Sequence, residues 1–349
     1  MSTDALSQSR QARPALGEDA WRQACRLAIG TTAALAVAKA MSWPFGAFFA
    51  LYPVLLLGLV PIYNLRIAAQ FVASSLVSIT AANLLAILGN VSPLLAIGAF
   101  FVFALACFRL MAQGPWFLFG ALTMVASSVL VHLASYPHVP KSDLFTAQFI
   151  ATLLAAFIAG AVHALIPERR KLPHGAPAKP LPLVRHQMLL GAICATASFA
   201  VFQFLDLPDA LSAQAATVLI LFPMTLAGGR RAAWTRVSGT LLGTVYALAL
   251  QLALYTHVSQ AGFVIALYGV GALVFATMHV RENAGPAVGL SAATAIAVLI
   301  GQLSPAGDLY SISLYRLTSV AIAVFGMLLC MFAVEAVLNR FASTRAPSP

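Results

Sequence analysis

Residues 236–255 read RVSGTLLGTVYALALQLALY, in which one arginine precedes nineteen residues without a formal charge. An α-helix needs about 20 apolar residues to cross the ~30 Å hydrocarbon core of a bilayer. Glycine and threonine beside an arginine raise the alternative of a phosphate loop. The stretch lacks the G-x-x-x-x-G-K-[ST] pattern, however, and no strand is predicted before it. It is therefore predicted to be a membrane-spanning helix.

The rest of the chain has the same apolar character. Of its 349 residues, 61% are hydrophobic and 9% are charged, whereas a soluble protein carries about 25% charged residues. This composition predicts an all-α integral membrane protein. The four cysteines lie in or beside apolar runs without the spacing of metal ligands, so we expect buried apolar side chains rather than disulfides or a metal site.

Twelve apolar segments of membrane-spanning length are predicted along the chain. They cover approximately residues 24–41, 43–62, 66–88, 92–112, 115–136, 143–166, 187–205, 208–227, 233–256, 259–279, 284–303 and 311–338. The predicted domains are a polar leader (1–20), a first six-helix unit (21–166), a Pro-rich basic linker (167–186), a second six-helix unit (187–339) and a tail (340–349).

The positions of lysine and arginine predict the orientation of these segments. With a cytoplasmic N-terminus, seventeen of the 20 Lys and Arg residues fall on the cytoplasmic side, and only Lys39 and Lys141 fall in outer loops. Arg316 lies near the outer end of the last segment. The net charge of +10 is therefore interpreted as a topology signal and not as a surface for nucleic acid. Both termini are expected in the cytoplasm.

The two halves resemble each other in sequence. Since each half has six segments, both would enter the membrane from the same side, which predicts two parallel six-helix repeats. Transporters built from such repeats bind their substrate between the halves. The aligned pairs are Gly114-Pro115 with Gly285-Pro286, QFVASSLV (70–77) with RVSGTLLG (236–243), and TAQFIAT (146–152) with LYRLTSV (314–320).

The aligned halves differ in charge at two positions. Gln70 of the first half stands opposite Arg236 of the second, and Gln148 stands opposite Arg316. Cations in one half only would offer a positive wall to an anion, so these four residues are predicted to bind the substrate. The alternative for Arg236 is an anchor to lipid headgroups. The alternative for Arg316 is a shallow position paired with Asp308.

Two other polar residues lie within the apolar segments. His163 is a candidate for proton coupling, because an imidazole titrates near physiological pH; its alternative is a position at the membrane interface. Glu335 is expected to pair with Arg340 or another arginine on the cytoplasmic side. We find no sequence pattern that indicates a catalytic site, a cofactor or a metal, so an enzyme is not predicted.

Gly239 and Gly243 are four residues apart and so lie on one helix face. Together with Thr240 they predict a seam at which another helix approaches closely. RVSGTLLG resembles the R-x-x-G-T-x-x-G element of the fusaric-acid-resistance and aromatic-acid-exporter superfamily, and the match carries over to Arg236 and these three residues. WPFGAFFALYPVLL (43–56) is similar to the proline- and aromatic-rich second helix of that superfamily. The chain resembles a compact branch that lacks the cytoplasmic domain.

The resemblance implies export of small, often aromatic, carboxylates from a bacterial inner membrane, together with a periplasmic adaptor protein. We expect the proton motive force to drive export, because the sequence contains no ATP-binding element. Membrane lipid is an expected partner, and a homo-oligomer is compatible with the sequence. Two alternatives stay open, namely a non-transporting anchor or assembly subunit for a periplasmic partner, and an anion channel.

Overall fold

The structure is a computed structural model that describes residues 16–169, 179–205, 207, 210–254, 260–282, 287–302 and 309–345. Within these ranges every regular secondary-structure element is a helix, which confirms the all-α prediction. A π-helical turn (Ala210–Gln214) leads into α8. The helices are α1 (Glu18–Ala40), α2 (Gly46–Leu59), α3 (Leu65–Val91), α4 (Pro93–Gln113), α5 (Phe117–Ser135), α6 (Lys141–Leu165), α7 (Leu181–Phe204), α8 (Ala215–Leu219), α9 (Leu226–Ala253), α10 (Ala261–Arg281), α11 (Val288–Gly301) and α12 (Leu309–Leu338).

Seven helices in the described ranges are long and apolar enough to cross a membrane: α3, α4, α5, α6, α7, α10 and α12. α2 and α11 are apolar but have only 14 residues each, and α8 has five. α1 and α9 are long, but both carry several charged side chains near the ends at which they begin. The finding therefore supports seven spans, and the arrangement of twelve stays a prediction.

Two helix boundaries differ from the sequence prediction. α9 begins at Leu226, so the cluster GGRR (228–231) is helical rather than a loop. The reason is Thr225, whose hydroxyl accepts from the N–H of Gly228 at 3.2 Å and caps the helix. α7 begins at Leu181, inside the predicted linker 167–186, because a proline is tolerated in the first helical turn.

α8 is shorter than the apolar segment predicted over residues 208–227. The chain tightens after Leu219, where the N–H of Phe222 bonds to the carbonyl of Leu219 at 3.2 Å. Pro223 has no N–H to continue a helix, and Met224 then adopts the left-handed conformation with φ of 53°. Hydrophobicity alone does not encode this turn.

The helix pairings of the first half recur in the second. α3 packs against α5 and α6, and α9 packs against α11 and α12. The pairs α1–α6 and α4–α5 recur as α7–α12 and α10–α11. Between the halves, α1 packs on α10 and α4 packs on α7. Helices at corresponding positions in the chain thus have corresponding neighbours.

α2 and α11 lie at the centre of the described helices and contact each other along their backbones. Twelve of the 14 residues of each helix are buried. A Cβ atom at Gly46 would lie 2.5 Å from the carbonyl oxygen of Gly301, and one at Gly301 would lie 2.7 Å from Cα of Ala47. The absence of side chains at both glycines allows this approach.

Candidate functional site

In the first half, Gln148 belongs to a buried polar cluster without charge. The Tyr52 hydroxyl donates to Gln148 Oε1, and Gln148 Nε2 donates to Ser75 Oγ at 3.5 Å. The cluster joins α2, α3 and α6, and Gln148 is 2% exposed. The cavity beside it has a volume of about 20 Å³, which is enough for about one water molecule. An organic acid does not fit there without movement of the helices.

Gln70 lies near the N-terminus of α3, about one turn after Arg66. Its side chain is buried, and Nε2 lies 3.5 Å from the carbonyl oxygen of Pro115, just before α5. This contact links the first turn of α3 to the start of α5. Substrate binding by Gln70 and Gln148 stays a prediction.

Arg236 is buried within α9. It is 8% exposed, whereas Arg230 and Arg231 on the preceding turns are exposed. Arg236 Nη1 donates to Thr294 Oγ1 of α11 at 2.7 Å. Thr294 in turn donates to the carbonyl of Ser291 at 2.8 Å. A headgroup anchor would extend to the surface, so this burial argues against the anchor alternative.

Two threonines continue the polar face of α9 beyond Arg236. Thr240 and Thr244 follow at intervals of four residues and therefore lie on one helix face. Both side chains are buried, and neither hydroxyl has a hydrogen-bond partner within the described ranges. A buried hydroxyl without a partner costs free energy. Water or the polar atoms of a ligand would therefore be stabilised here by hydrogen bonds to the two hydroxyls. We call Arg236, Thr240 and Thr244 the α9 polar face.

Gly239 and Gly243 bring α9 against α11. A Cβ at Gly239 would lie 2.4 Å from Cβ of Ser291, and one at Gly243 would lie 2.7 Å from the carbonyl oxygen of Ala292. Real side chains do not tolerate such distances without a shift of the backbone. The two glycines thus lie at the close contact between α9 and α11 that the predicted seam requires. This contact keeps the α9 polar face buried.

Arg316 lies two turns into α12, at the opposite end of the molecule from Arg236. It is half-buried, and Nη2 donates to Gln302 Oε1 at the end of α11. Asp308, the partner considered from sequence, lies outside the described residues. Arg316 and Arg236 are therefore at two different depths, as are Gln148 and Gln70, and the four predicted residues do not form one site.

A groove of about 520 Å³ lies between α7, α8 and α12. Its volume falls within the ~300–1,000 Å³ of typical small-molecule sites. Most of its wall is apolar, while Ser198 and Thr217 provide hydroxyls bonded to each other at 2.7 Å. Tyr315 and Ser319 line one end, and Arg316 lies between them in the sequence. The groove therefore combines an apolar wall with a few hydroxyls, and Arg316 itself is not among its lining residues.

His163 lies in the last two turns of α6. Nδ1 faces the carbonyl of Ala159 at 2.8 Å, and Nε2 faces that of Pro61 at 3.5 Å. Its ring stacks on Tyr63 with 5.5 Å between the centroids. Burial raises the pKa of Tyr63, so the phenol keeps its proton and donates to Ala156 O at 2.7 Å. Proton coupling by His163 stays a prediction.

The sequence analysis missed a buried ion pair next to His163. Arg26 Nη2 lies 2.5 Å from Glu168 Oε2, and the two side chains are 2% and 6% exposed. Both residues were interpreted only as part of the charged cytoplasmic side. The available signal was Arg26, which stands one turn inside an apolar run, but its partner is 142 residues away in the sequence.

Glu335 has a different partner from the one expected. Its Oε2 accepts from the backbone N–H of Leu226 at 3.1 Å. A carboxylate there is stabilised by the unpaired N–H groups at the start of α9. Within the described residues it forms no ion pair with an arginine, so the expected pairing with Arg340 is wrong.

Long apolar helices with buried polar groups between them define a multi-pass membrane protein. Residues 193–330 match the family described as fusaric acid resistance protein-like, and residues 23–162 match a protein family of unknown function, DUF2955. Residues 193–330 are therefore similar to the fusaric acid resistance protein-like family, which confirms the resemblance at residues 236–243. No curated protein and no solved structure matches the chain.

Proposed function

We propose that the protein exports small organic acids, including aromatic acids, across a bacterial inner membrane. The α9 polar face carries this proposal. It places the guanidinium of Arg236, which donates to Thr294, beside two hydroxyls that have no partner in the described ranges. All three side chains lie in the region that matches the fusaric acid resistance protein-like family. A cation within a membrane helix costs at least a few kcal/mol and is a functional site by default. A carboxylate can accept two parallel hydrogen bonds from a guanidinium.

The proposed architecture has twelve spans in two parallel six-helix repeats, with both termini in the cytoplasm. The recurrence of helix pairings supports it, as does the presence of one family match on each half. The short helices α2, α8 and α11 then cross the membrane inside a ring of longer ones. Irregular backbone at membrane depth is tolerated where protein or water covers it.

In the proposed mechanism, the two arginines act at successive depths. Arg236 lies nearer the cytoplasmic ends of the helices and draws the carboxylate inward from that side. Arg316 lies nearer the outer ends, where the groove between α7 and α12 has room for an aromatic ring. The proton motive force drives the cycle, with His163 as the proposed coupling residue and a periplasmic adaptor as the proposed partner.

Efflux from cells tests this function. The protein is expressed in a strain that lacks its own aromatic-acid exporters, and resistance to a panel of acids is compared with that of cells carrying Arg236→Gln. Arg230→Gln, an exposed arginine on the same helix, is the matched control. We expect resistance to at least one acid, lost in Arg236→Gln and kept in Arg230→Gln. No gain of resistance, with or without an adaptor encoded nearby, would contradict export.

The same cells separate the two rival functions. An anion channel would continue to pass the acid down its gradient after a protonophore is added, whereas a proton-driven exporter would stop. A non-transporting assembly subunit would show no flux in either condition, and Arg236→Gln would leave its effect on a periplasmic partner unchanged.

A further inference from the structure

A second cavity, which we call the outer cavity, lies where the ends of five helices meet. Asn90 is near the end of α3, Pro93 begins α4, Ser135 ends α5, Lys141 begins α6 and Phe204 ends α7, and all five line the cavity. Four of these helices belong to the first half and α7 to the second, and α4 packs on α7. The cavity therefore lies on the boundary between the halves, which is where parallel-repeat transporters have their substrate path.

The volume of the outer cavity suits a single aromatic ring. It is about 240 Å³, whereas an apolar cavity of ~150 Å³ is enough to hold benzene. Phe199 lines the wall and stacks on Phe100, with 4.1 Å between the ring centroids and 10° between the ring planes. A ligand ring would thus meet an aromatic wall that is already held in place, and contact between aromatic rings is favourable.

Two side chains of the outer cavity offer hydrogen-bond donors. Lys141 contributes an ammonium group, and the amide of Gln203 lines the same cavity. Gln203 Nε2 is buried and has no hydrogen-bond partner among the described residues. A buried donor without an acceptor costs free energy, so an acceptor that enters the cavity is stabilised.

The charge of the outer cavity is positive. Among the described residues no carboxylate lines it. Asp143, two residues after Lys141 in α6, is exposed and accepts from the Ser142 hydroxyl at 3.3 Å. A ligand that carries a negative charge next to an aromatic ring would therefore match both the ammonium group and the apolar wall.

Lys141 is also unusual for its place in the chain. In the proposed orientation only Lys39 and Lys141 fall in outer loops, so the positive-inside rule does not account for a lysine here. Lys39 lies near the end of α1 and does not line the cavity. The two lysines thus share a side of the membrane and differ in whether they adjoin a space for a ligand.

We infer that the outer cavity binds a small aromatic acid at the outer end of the export pathway, with Lys141 and Gln203 contacting the carboxylate and Phe199 the ring. The inference rests on the proposed export function and adds the site from which the acid is released. Phe199 and Gln203 lie on a different face of α7 from the residues that line the groove beside α12. Lys141 is exposed, and solvent screening weakens its attraction for an anion, which suits release.

A cysteine at position 90 reports whether the outer cavity is occupied, because Asn90 is exposed and lines it. The rate at which a charged maleimide labels purified full-length Asn90→Cys in detergent is measured with benzoate at about 10 mM, tenfold above a Kd of ~1 mM. The labelling of the native cysteines is measured in the unmodified protein and subtracted. We expect benzoate to slow labelling about fivefold or more.

Three other ligands and a second cysteine position serve as controls. Neutral benzamide and inorganic phosphate should not slow labelling of Asn90→Cys, and acetate, which lacks the ring, should need about a tenfold higher concentration than benzoate. Asn83→Cys, also exposed on α3 but outside the cavity, should be labelled at the same rate with and without benzoate. Protection by phosphate as strong as that by benzoate would indicate a phosphate site, such as one for a lipid headgroup, and would overturn the inference.

Lys141→Gln in the Asn90→Cys protein assigns the contact with the carboxylate. We expect the benzoate concentration for half protection to rise about tenfold, whereas Lys39→Gln should leave it unchanged. Gln203→Leu should raise it about three- to tenfold, because a hydrogen bond to the carboxylate is lost. No protection by benzoate, or the same half-protection concentration in Lys141→Gln, would overturn the inference.

Transport measurements test the release step and separate it from the proposed function. In vesicles that export benzoate, acid added on the outer side should slow efflux, and Lys141→Gln should raise the inhibitory concentration about tenfold. Protection of Asn90→Cys by benzoate in a protein that moves no acid would establish the site and contradict export. Export of benzoate without that protection would leave the proposed function standing and overturn the outer site alone.

Discussion

The third helix of each half presents a buried polar face, and the two faces differ in how their hydroxyls are bonded. On α3, Ser74 donates to the carbonyl of Phe71 at 2.7 Å, and Ser78 donates to that of Ser74 at 2.6 Å. On α9, the hydroxyls of Thr240 and Thr244 have no partner among the described residues. The hydroxyls of Ser74 and Ser78 on α3 are therefore bonded to their own helix, whereas those of Thr240 and Thr244 on α9 retain bonding capacity beside a buried cation.

The difference extends to the packing of the same helices. Gly239 and Gly243 of α9 align with Ala73 and Val77 of α3, and Val77 is exposed. In the second half, the two glycines allow α11 to pack closely on α9. In the first half the aligned residues have side chains, and that of Val77 points to the surface. The proposed function accordingly assigns contact with the ligand to this face of α9 rather than to the aligned face of α3.

The largest expected effect on stability comes from replacing Gly243 of α9 by valine, the residue at the aligned position 77 of α3. In Gly243→Val, the added Cβ would lie 2.7 Å from the carbonyl oxygen of Ala292 and from Cβ of Ala295. Overpacking of this kind costs about 3 kcal/mol, so we expect little folded protein by size-exclusion chromatography in detergent. The reverse change, Val77→Gly, should cost about 1 kcal/mol. Equal thermal stability of the two variants would contradict the difference in packing.

The next effect concerns charge. Arg236→Gln gives the second half the residue of Gln70, and we expect efflux to fall about 10- to 100-fold because the buried cation is lost. Initial rates of acid efflux from vesicles measure the change, and Arg230→Gln serves as the exposed control. Efflux at the normal rate in Arg236→Gln would show that the charge difference between the halves has no part in transport.

Tyr52→Phe probes the first half in the same way. It leaves Oε1 of Gln148 without its donor, which we expect to cost about 1–2 kcal/mol of stability. Transport per folded molecule should not change, because the cluster is closed and uncharged. Thermal unfolding and efflux are both measured, with Thr80→Val on the exposed face of α3 as the control. A loss of efflux without a loss of stability would place the substrate in the first half as well.

The smallest effect is expected for Arg316→Gln, which places glutamine, the residue at the aligned position 148 of the first half, in α12. Arg316 is half-buried and therefore partly screened by solvent. We expect a two- to fivefold rise in KM with little change in kcat, while Arg340→Gln beyond the other end of α12 should have no effect. A loss as large as that of Arg236→Gln would contradict the assignment of the two arginines to different steps.

The fold class followed from composition. A chain with 9% charged residues has too few of them to form a water-exposed surface, so its outer surface must face lipid. The resemblance at residues 236–243 also predicted the family that residues 193–330 match, since two glycines at a fixed spacing allow a particular close contact of helices. The brevity of α8 could not be predicted, because the turn at Pro223 and Met224 lies in a run that is apolar throughout.

The candidate sites were less accessible to sequence reasoning than the fold. Arg236 could be singled out because its aligned partner is uncharged. The pair of Arg26 with Glu168 could not, because only the folding of α1 against the end of α6 brings the two together. Glu335 was assigned to an arginine by charge, whereas the start of α9 offered backbone N–H groups with the same preference for an anion.

The central helices α2 and α11 have a consequence for the electric field across the membrane. At 14 residues each, they are about 21 Å long, which is less than the ~30 Å hydrocarbon core. If water reaches their ends, the membrane voltage falls across this thinner partition. An anion that leaves a negatively charged interior gains about 2.3 kcal/mol per 100 mV. In the proposed architecture, the two short helices would then concentrate that voltage on the ~21 Å between the depths at which Arg236 and Arg316 act on the carboxylate.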